Sequence, residues 1–140
     1  MNIKKKIGYI ASDISLISNK NLKENLLLSL NYSGNTYTTI PTDDIMFLCK
    51  EFGLDSKLDA FPARLDIEDK RLAVITRELA KKPDIILIDG LHEFLSEKMF
   101  ETFKNILTKI IKQNDKIALV YHPIEYDDPA KEWATRKITI

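Results

Sequence analysis

Cysteine is almost absent from this sequence. Cys49 is the only one in 140 residues, so no internal disulfide can form, which fits a reducing compartment. A charge excess of either sign is absent too. Lysine plus arginine and aspartate plus glutamate stand at 21 each, leaving no net field to draw nucleic acid or acidic lipid to the molecule. Lys4, Lys5 and Lys6 form the only local excess and read as a solvated leader to the first strand. Long apolar runs are also missing. None approaches the roughly 20 residues of a membrane span, and "IGYIA" is too short for the apolar region of a signal peptide. The expectation is a soluble cytoplasmic protein that can still dock on a membrane partner and binds no nucleic acid. With no repeat, low-complexity tract or linker, residues 1–140 suit one domain.

What is present alternates between strand and helix. Lys6–Ile10 reads as a short strand. Asn21–Leu30 places Leu22, Leu26, Leu27 and Leu30 at helical spacing, and "NYSGNTY" follows as a turn-rich loop. Thr42 is an N-cap candidate with Asp43 and Asp44 behind it, where the helix dipole favours acids. Ile45, Leu48, Cys49 and Phe52 form that helix's apolar face, and Gly53 is its stop signal. Asp66 can cap the amide of Asp69 and open a helix to about Lys81, with Leu72, Ile75 and Leu79 as its buried stripe. Pro83 ends it.

Ile85–Ile88 is apolar on both faces, as in a central parallel strand. Ser96 opens the clearest helix, with Phe100, Phe103, Leu107, Ile110 and Ile111 along one side. "KIALVY", Lys116–Tyr121, is the next strand, and Lys137–Ile140 reads as a last one. The pattern predicts an α/β fold with a mostly parallel sheet flanked by helices. In such sheets ligands collect at the carboxyl ends of the strands, where Asp13, Asp89 and His122 fall.

In this order the segments resemble the ATPase domain of ABC transporters. "KIGYIASDISLISNKNLKENLLLSL" is similar to the family's Q-loop region, and "GLDSKLDAFPARLDIEDKRLAVITRELAKKPDIILIDG" to the stretch from signature motif to Walker B strand. "KIALVYH" resembles the strand ending in the switch histidine, and "WATRKITI" the closing helix end and strand. The resemblance implies the core of a P-loop NTPase without its N-terminal phosphate-loop unit, a truncated and degenerate cassette.

The departures fall on the chemistry. The family's phosphate loop, G-x-x-x-x-G-K-[ST], cradles phosphates with backbone amides and a lysine. The 140 residues contain no such pattern, and Gly8, Gly34, Gly53 and Gly90 all lie elsewhere. Ser12 stands at the Q-loop glutamine. The signature Leu-Ser-Gly-Gly-Gln becomes Leu65, Asp66, Ile67, Glu68, Asp69, three carboxylates that would repel a nucleotide. Asp89 matches the Walker B aspartate, but Gly90 holds the place of the catalytic glutamate and Ser96 that of the D-loop aspartate. His122 matches the switch histidine.

Transfer of a phosphoryl group rests on positioning and charge stabilisation at the phosphates, which a lone strand-end aspartate cannot supply. No catalytic residue and no cofactor is therefore expected; ATP with magnesium enters only if another chain supplies a phosphate loop. A metal site from Asp89, His92, Glu93 and His122 has no compact ligand spacing, so none is expected. Glu125–Pro129 reads as a solvated acidic turn.

Three functions are compatible with these residues. The first is a non-catalytic, structural or regulatory subunit of a transporter or of a complete ATPase, with Ser15–Lys23 and Thr42–Phe52 as the contacts to a membrane permease. The second is half of a split cassette completed by another chain, which Gly90 disfavours. The third is a receiver-like signalling module with Asp89 as phosphoacceptor, since "KKPDIILIDG" also resembles a receiver's acceptor strand; only Asp13 offers the acid such a module needs after its first strand. In the family the phosphate-loop strand lies beside the equivalent of Lys116–Tyr121, so a sheet without it exposes ladder edges. An inward shift of the final strand, a strand from another chain or pairing of two copies could cover them, and self-association is expected.

Overall fold

Three parallel strands form the sheet of the computed structural model, which describes residues 6–11, 15–33, 40–90, 95–114 and 117–121. Strand β1 is Ile7–Ala11, β2 is Ile85–Asp89 and β3 is Ile117–Tyr121, in spatial order β1-β2-β3. Ile7 faces Ile85, which faces Ile117; Ala11 faces Asp89, which faces Tyr121. β2 is the middle strand, as its doubly apolar pattern predicted. The expected last strand, Lys137–Ile140, and the acidic turn Glu125–Pro129 lie outside the described residues.

Helices α1, Leu22–Ser33, and α2, Asp43–Glu51, precede two short 3-10 turns, Asp55–Lys57 and Pro62–Arg64. Helix α3, Ile67–Ala80, leads into β2, and α4, Glu97–Asn114, links β2 to β3. Local chemistry explains each start. Asn21 and Glu24 form a reciprocal capping box, Asn21 Oδ1 accepting from the Glu24 amide at 2.9 Å and Glu24 Oε2 from the Asn21 amide at 2.8 Å. Thr42 Oγ1 accepts from the Ile45 amide at 3.3 Å. Asp66 accepts from the Asp69 amide at 2.7 Å, the cap read from sequence. The Ser96 hydroxyl accepts from the Met99 amide at 3.4 Å.

Two expectations need correction. The loop expected to begin at Asn31 starts later, because α1 runs on through Ser33. Asn, Tyr and Ser each cost well under about 1 kcal/mol in a helix, and the first strong breaker is Gly34. Second, α3 buries far more than the stripe of Leu72, Ile75 and Leu79. Asp69, Arg71, Thr76 and Glu78 are buried as well. The helix lies against α1, α2 and β1, and these buried polar residues bond within the fold. Asp69 pairs with Lys57 at 2.7 Å, and the Thr76 hydroxyl donates to the Leu72 carbonyl at 2.8 Å.

The core is one cluster on one side of the sheet. Ile10, Ile86 and Ile88 meet Leu22, Leu26, Ile45, Phe52, Leu72, Ile75, Phe103 and Leu107, all at most 2 % exposed. Gly8 admits a close approach, since a Cβ there would meet the Pro83 ring at 3.0 Å. Gly53, at φ +70°, ends α2 in the left-handed conformation that glycine adopts without strain. Among the described residues no helix is long and apolar enough to cross a membrane.

Cys49 is fully buried on α2. Burial, with Asp55 adding to it, pushes its thiol from 9.0 up to about 11. The folded state therefore holds this proton more tightly than the unfolded state. The associated stability is complete below about pH 9 and disappears as pH rises through about 11. Two pKa units in thiolate fraction make alkylation by iodoacetamide at pH 8 at least about 100-fold slower in the native chain than in denaturant. Equal rates would show that Cys49 is accessible.

Candidate functional site

The carboxyl ends of the strands place Ala11, Asp89 and Tyr121 in one row. Asp89 closes β2 there, half-buried, where the apolar run of β2 delivers it. The chain then turns sharply, because Gly90 has φ +65°. That is the left-handed region, which costs an L side chain roughly 1–2 kcal/mol. A side chain placed at this position would therefore carry backbone strain. Ser12, Asp13, His92, Glu93 and His122 lie outside the described residues. Among the described residues no group of three His, Cys, Asp or Glu side chains could hold a metal ion.

The signature-like segment sits at the start of α3. Leu65 is buried, Ile67 is 64 % exposed, and the three carboxylates have separate partners. Asp66 spends one oxygen on the Asp69 amide, at a helix N-terminus that would otherwise suit an anion. Glu68 reaches α4, accepting from the Ser96 amide at 3.1 Å and the Ser96 hydroxyl at 2.9 Å. Asp69 takes Lys57 Nζ on both oxygens, at 2.7 and 2.8 Å. The hydrogen bond to Asp69 is the main cause that raises the Lys57 pKa above its ordinary value. The structure thus joins the signature-like Glu68 to the D-loop-like Ser96. Asp89 shares no hydrogen bond with Asp66 or Glu68. The arrangement neutralises the α3 N-terminus with the chain's own acids.

Three further residues shape the region and were not singled out from sequence. Asn25 is fully buried on α1 and organises the segment after β1. Its Oδ1 accepts from the Ile17 amide at 2.7 Å, and its Nδ2 lies within 3.1 Å of the carbonyls of Ile17, Lys20 and Asn21. Glu78 accepts from the Tyr9 amide at 3.2 Å and from Lys81 at 2.7 Å. Arg71 donates to the Ala11 carbonyl at 2.6 Å. Arg71 and Glu78 stand seven apart, two turns on one face of α3. Polar residues at core-facing helical spacing were the available signal.

A second concavity of about 690 Å³ runs between α2, the end of α3 and α4. Leu79, Pro83 and Ile106 line it with Phe47, and a 3.1 Å ion pair joins Lys82 to Asp44 beside it. Lys82 and Pro83 precede β2, so this groove lies toward the amino end of that strand, away from Asp89.

No family model matches the chain. Its fold is that of an ABC ATPase domain, in part. A dimeric bacterial ABC transporter cassette superposes with a TM-score of 0.71 at 24% identity, over 86% of this chain and 53% of that one. An ATP-binding subunit of an ABC transporter gives 0.69 at 19%, over 84% and 48%. Among curated relatives, the methionine import ATP-binding protein MetN 1 of Enterococcus faecalis is 31% identical over 87% of this chain and 34% of its own length. MetN of Helicobacter pylori is 30% identical over 87% of this chain and 37% of its own length. The curated relatives are thus ABC transporter ATP-binding proteins, and the chain spans about a third of their length.

Proposed function

We propose that this chain is a non-catalytic ABC-ATPase-like module that serves as a structural or regulatory subunit of a transporter or of a complete ATPase. The observation that carries the reading is Gly90. At the position that resembles the catalytic glutamate there is neither an acid to orient water nor a backbone that accepts one without strain. Self-capping of the α3 N-terminus by Asp66 supports the same reading from the signature side. A permease is the first partner to test, at the inner face of the membrane. Ile17 and Phe47, 42 % and 54 % exposed, offer apolar contacts within Ser15–Lys23 and Thr42–Phe52. The relatives' role in methionine import makes a permease of that kind the natural choice.

Phosphate release from magnesium ATP tests the catalytic half of the reading. The parent chain and Gly90→Glu are both expected to release none above buffer, and Gly90→Glu also to lose about 1 kcal/mol of stability. Turnover by the parent chain at about 1 s⁻¹ or faster, ordinary for an enzyme, would contradict the proposal.

A further inference from the structure

The groove at the amino end of β2 has two helical walls, and each carries one charge without a partner. Glu51 stands on the α2 wall and Lys109 on the α4 wall. Among the described residues neither makes an ion pair or a side-chain hydrogen bond. The remaining acid and base at this groove, Asp44 and Lys82, neutralise each other at 3.1 Å. Leu48, Leu79 and Ile106 form an apolar floor, and Phe47 stands on the α2 wall with 54 % of its surface exposed. An aromatic ring left in water beside a hollow of about 690 Å³ is a knob and a hole on one surface.

Such a surface is complementary to itself. A two-fold axis brings each residue of one copy onto a different residue of the other, and the second contact repeats the first in reverse. One unpaired acid, one unpaired base, one knob and one hole meet that requirement with nothing left over. A formal net charge of zero puts no long-range repulsion between copies. The groove also lies away from Asp89, so pairing there leaves the carboxyl ends of the strands uncovered.

We propose that the α2–α4 groove is the interface for a second copy of this chain. Each α2 lies over its partner's α4, with Phe47 in the other copy's groove. Glu51 meets the partner's Lys109, and Lys109 meets the partner's Glu51. Two helices from each copy then form one four-helix layer. The inference goes beyond the subunit reading, since pairing requires neither a permease nor catalytic inertness. A permease that claims Phe47 would displace the second copy.

Sedimentation equilibrium of the 140-residue chain across the micromolar range tests this. A monomer–dimer equilibrium is expected. Glu51→Lys and Lys109→Glu should each weaken it at least about tenfold, because each sets like charges face to face in both contacts. Mixed one to one, the two variants should pair within about threefold of the parent, since every contact is again acid against base. Phe47→Asp should weaken the dimer at least about tenfold, as burying an unpaired carboxylate requires. Phe61→Asp, at a position 48 % exposed beside the second 3-10 turn, should leave it within about twofold. Thermal unfolding checks that each variant folds. The proposal is overturned by a strict monomer, which would leave the groove to a foreign chain, or by a dimer indifferent to the charge reversals. A mixture that stays monomeric overturns it too, as do open-ended oligomers, the mark of head-to-tail contact. None of these outcomes bears on the subunit reading, which phosphate release tests separately.

Discussion

Replacing Asn25 with leucine lowers the free energy of unfolding by about 3 kcal/mol, the cost of leaving several buried polar groups without partners. The size follows from what one amide does. It serves the Ile17 amide and three carbonyls, on Ile17, Lys20 and Asn21, from a fully buried position. Leucine nearly matches the volume but offers no donor or acceptor, so the loop between β1 and α1 loses its anchor. Urea denaturation measures the change. A loss below about 0.5 kcal/mol, the level of an ordinary surface substitution, would show that water replaces the amide freely. Because residues 15–20 belong to the proposed permease contact, the same variant should weaken any permease complex along with the fold.

Ile86→Ala and Ile7→Ala, one residue apart in register, should differ several-fold in cost. Ile86 is fully buried against the helices, and its truncation is expected to cost about 2–5 kcal/mol in lost transfer energy and cavity. Ile7 is 53 % exposed, so its truncation should cost less than about 1 kcal/mol. Equal costs would mean that Ile7 is covered as fully as Ile86 in the isolated chain. The comparison is internal to one sheet, so errors in the unfolded reference largely cancel.

Much of the fold was legible because its signals are local. Thr42, Asp66 and Ser96 are each followed by an apolar period, and each caps the helix it was expected to cap. β2 stood out through Ile85–Ile88, where pairing on both sides leaves no polar residue. β1 begins at Ile7, one residue past the expected start, because Lys6 uses its amide on the Asp84 carboxylate instead of a ladder partner. What sequence could not reveal was tertiary. Arg71 and Glu78 were not singled out on α3, and only the position of β1 against that helix gives them its backbone as partner. Glu68 likewise gains meaning only when α4 brings Ser96 to it. At the strand ends, Asp89 and Gly90 were readable as residues, but the positive φ at Gly90 was not.

Isothermal titration of the 140-residue chain with magnesium ATP tests the central claim most directly. The expected result is no heat beyond dilution up to millimolar nucleotide, where binding is worth only about 4 kcal/mol. A saturable isotherm with micromolar affinity, abolished in Asp89→Asn, would contradict it.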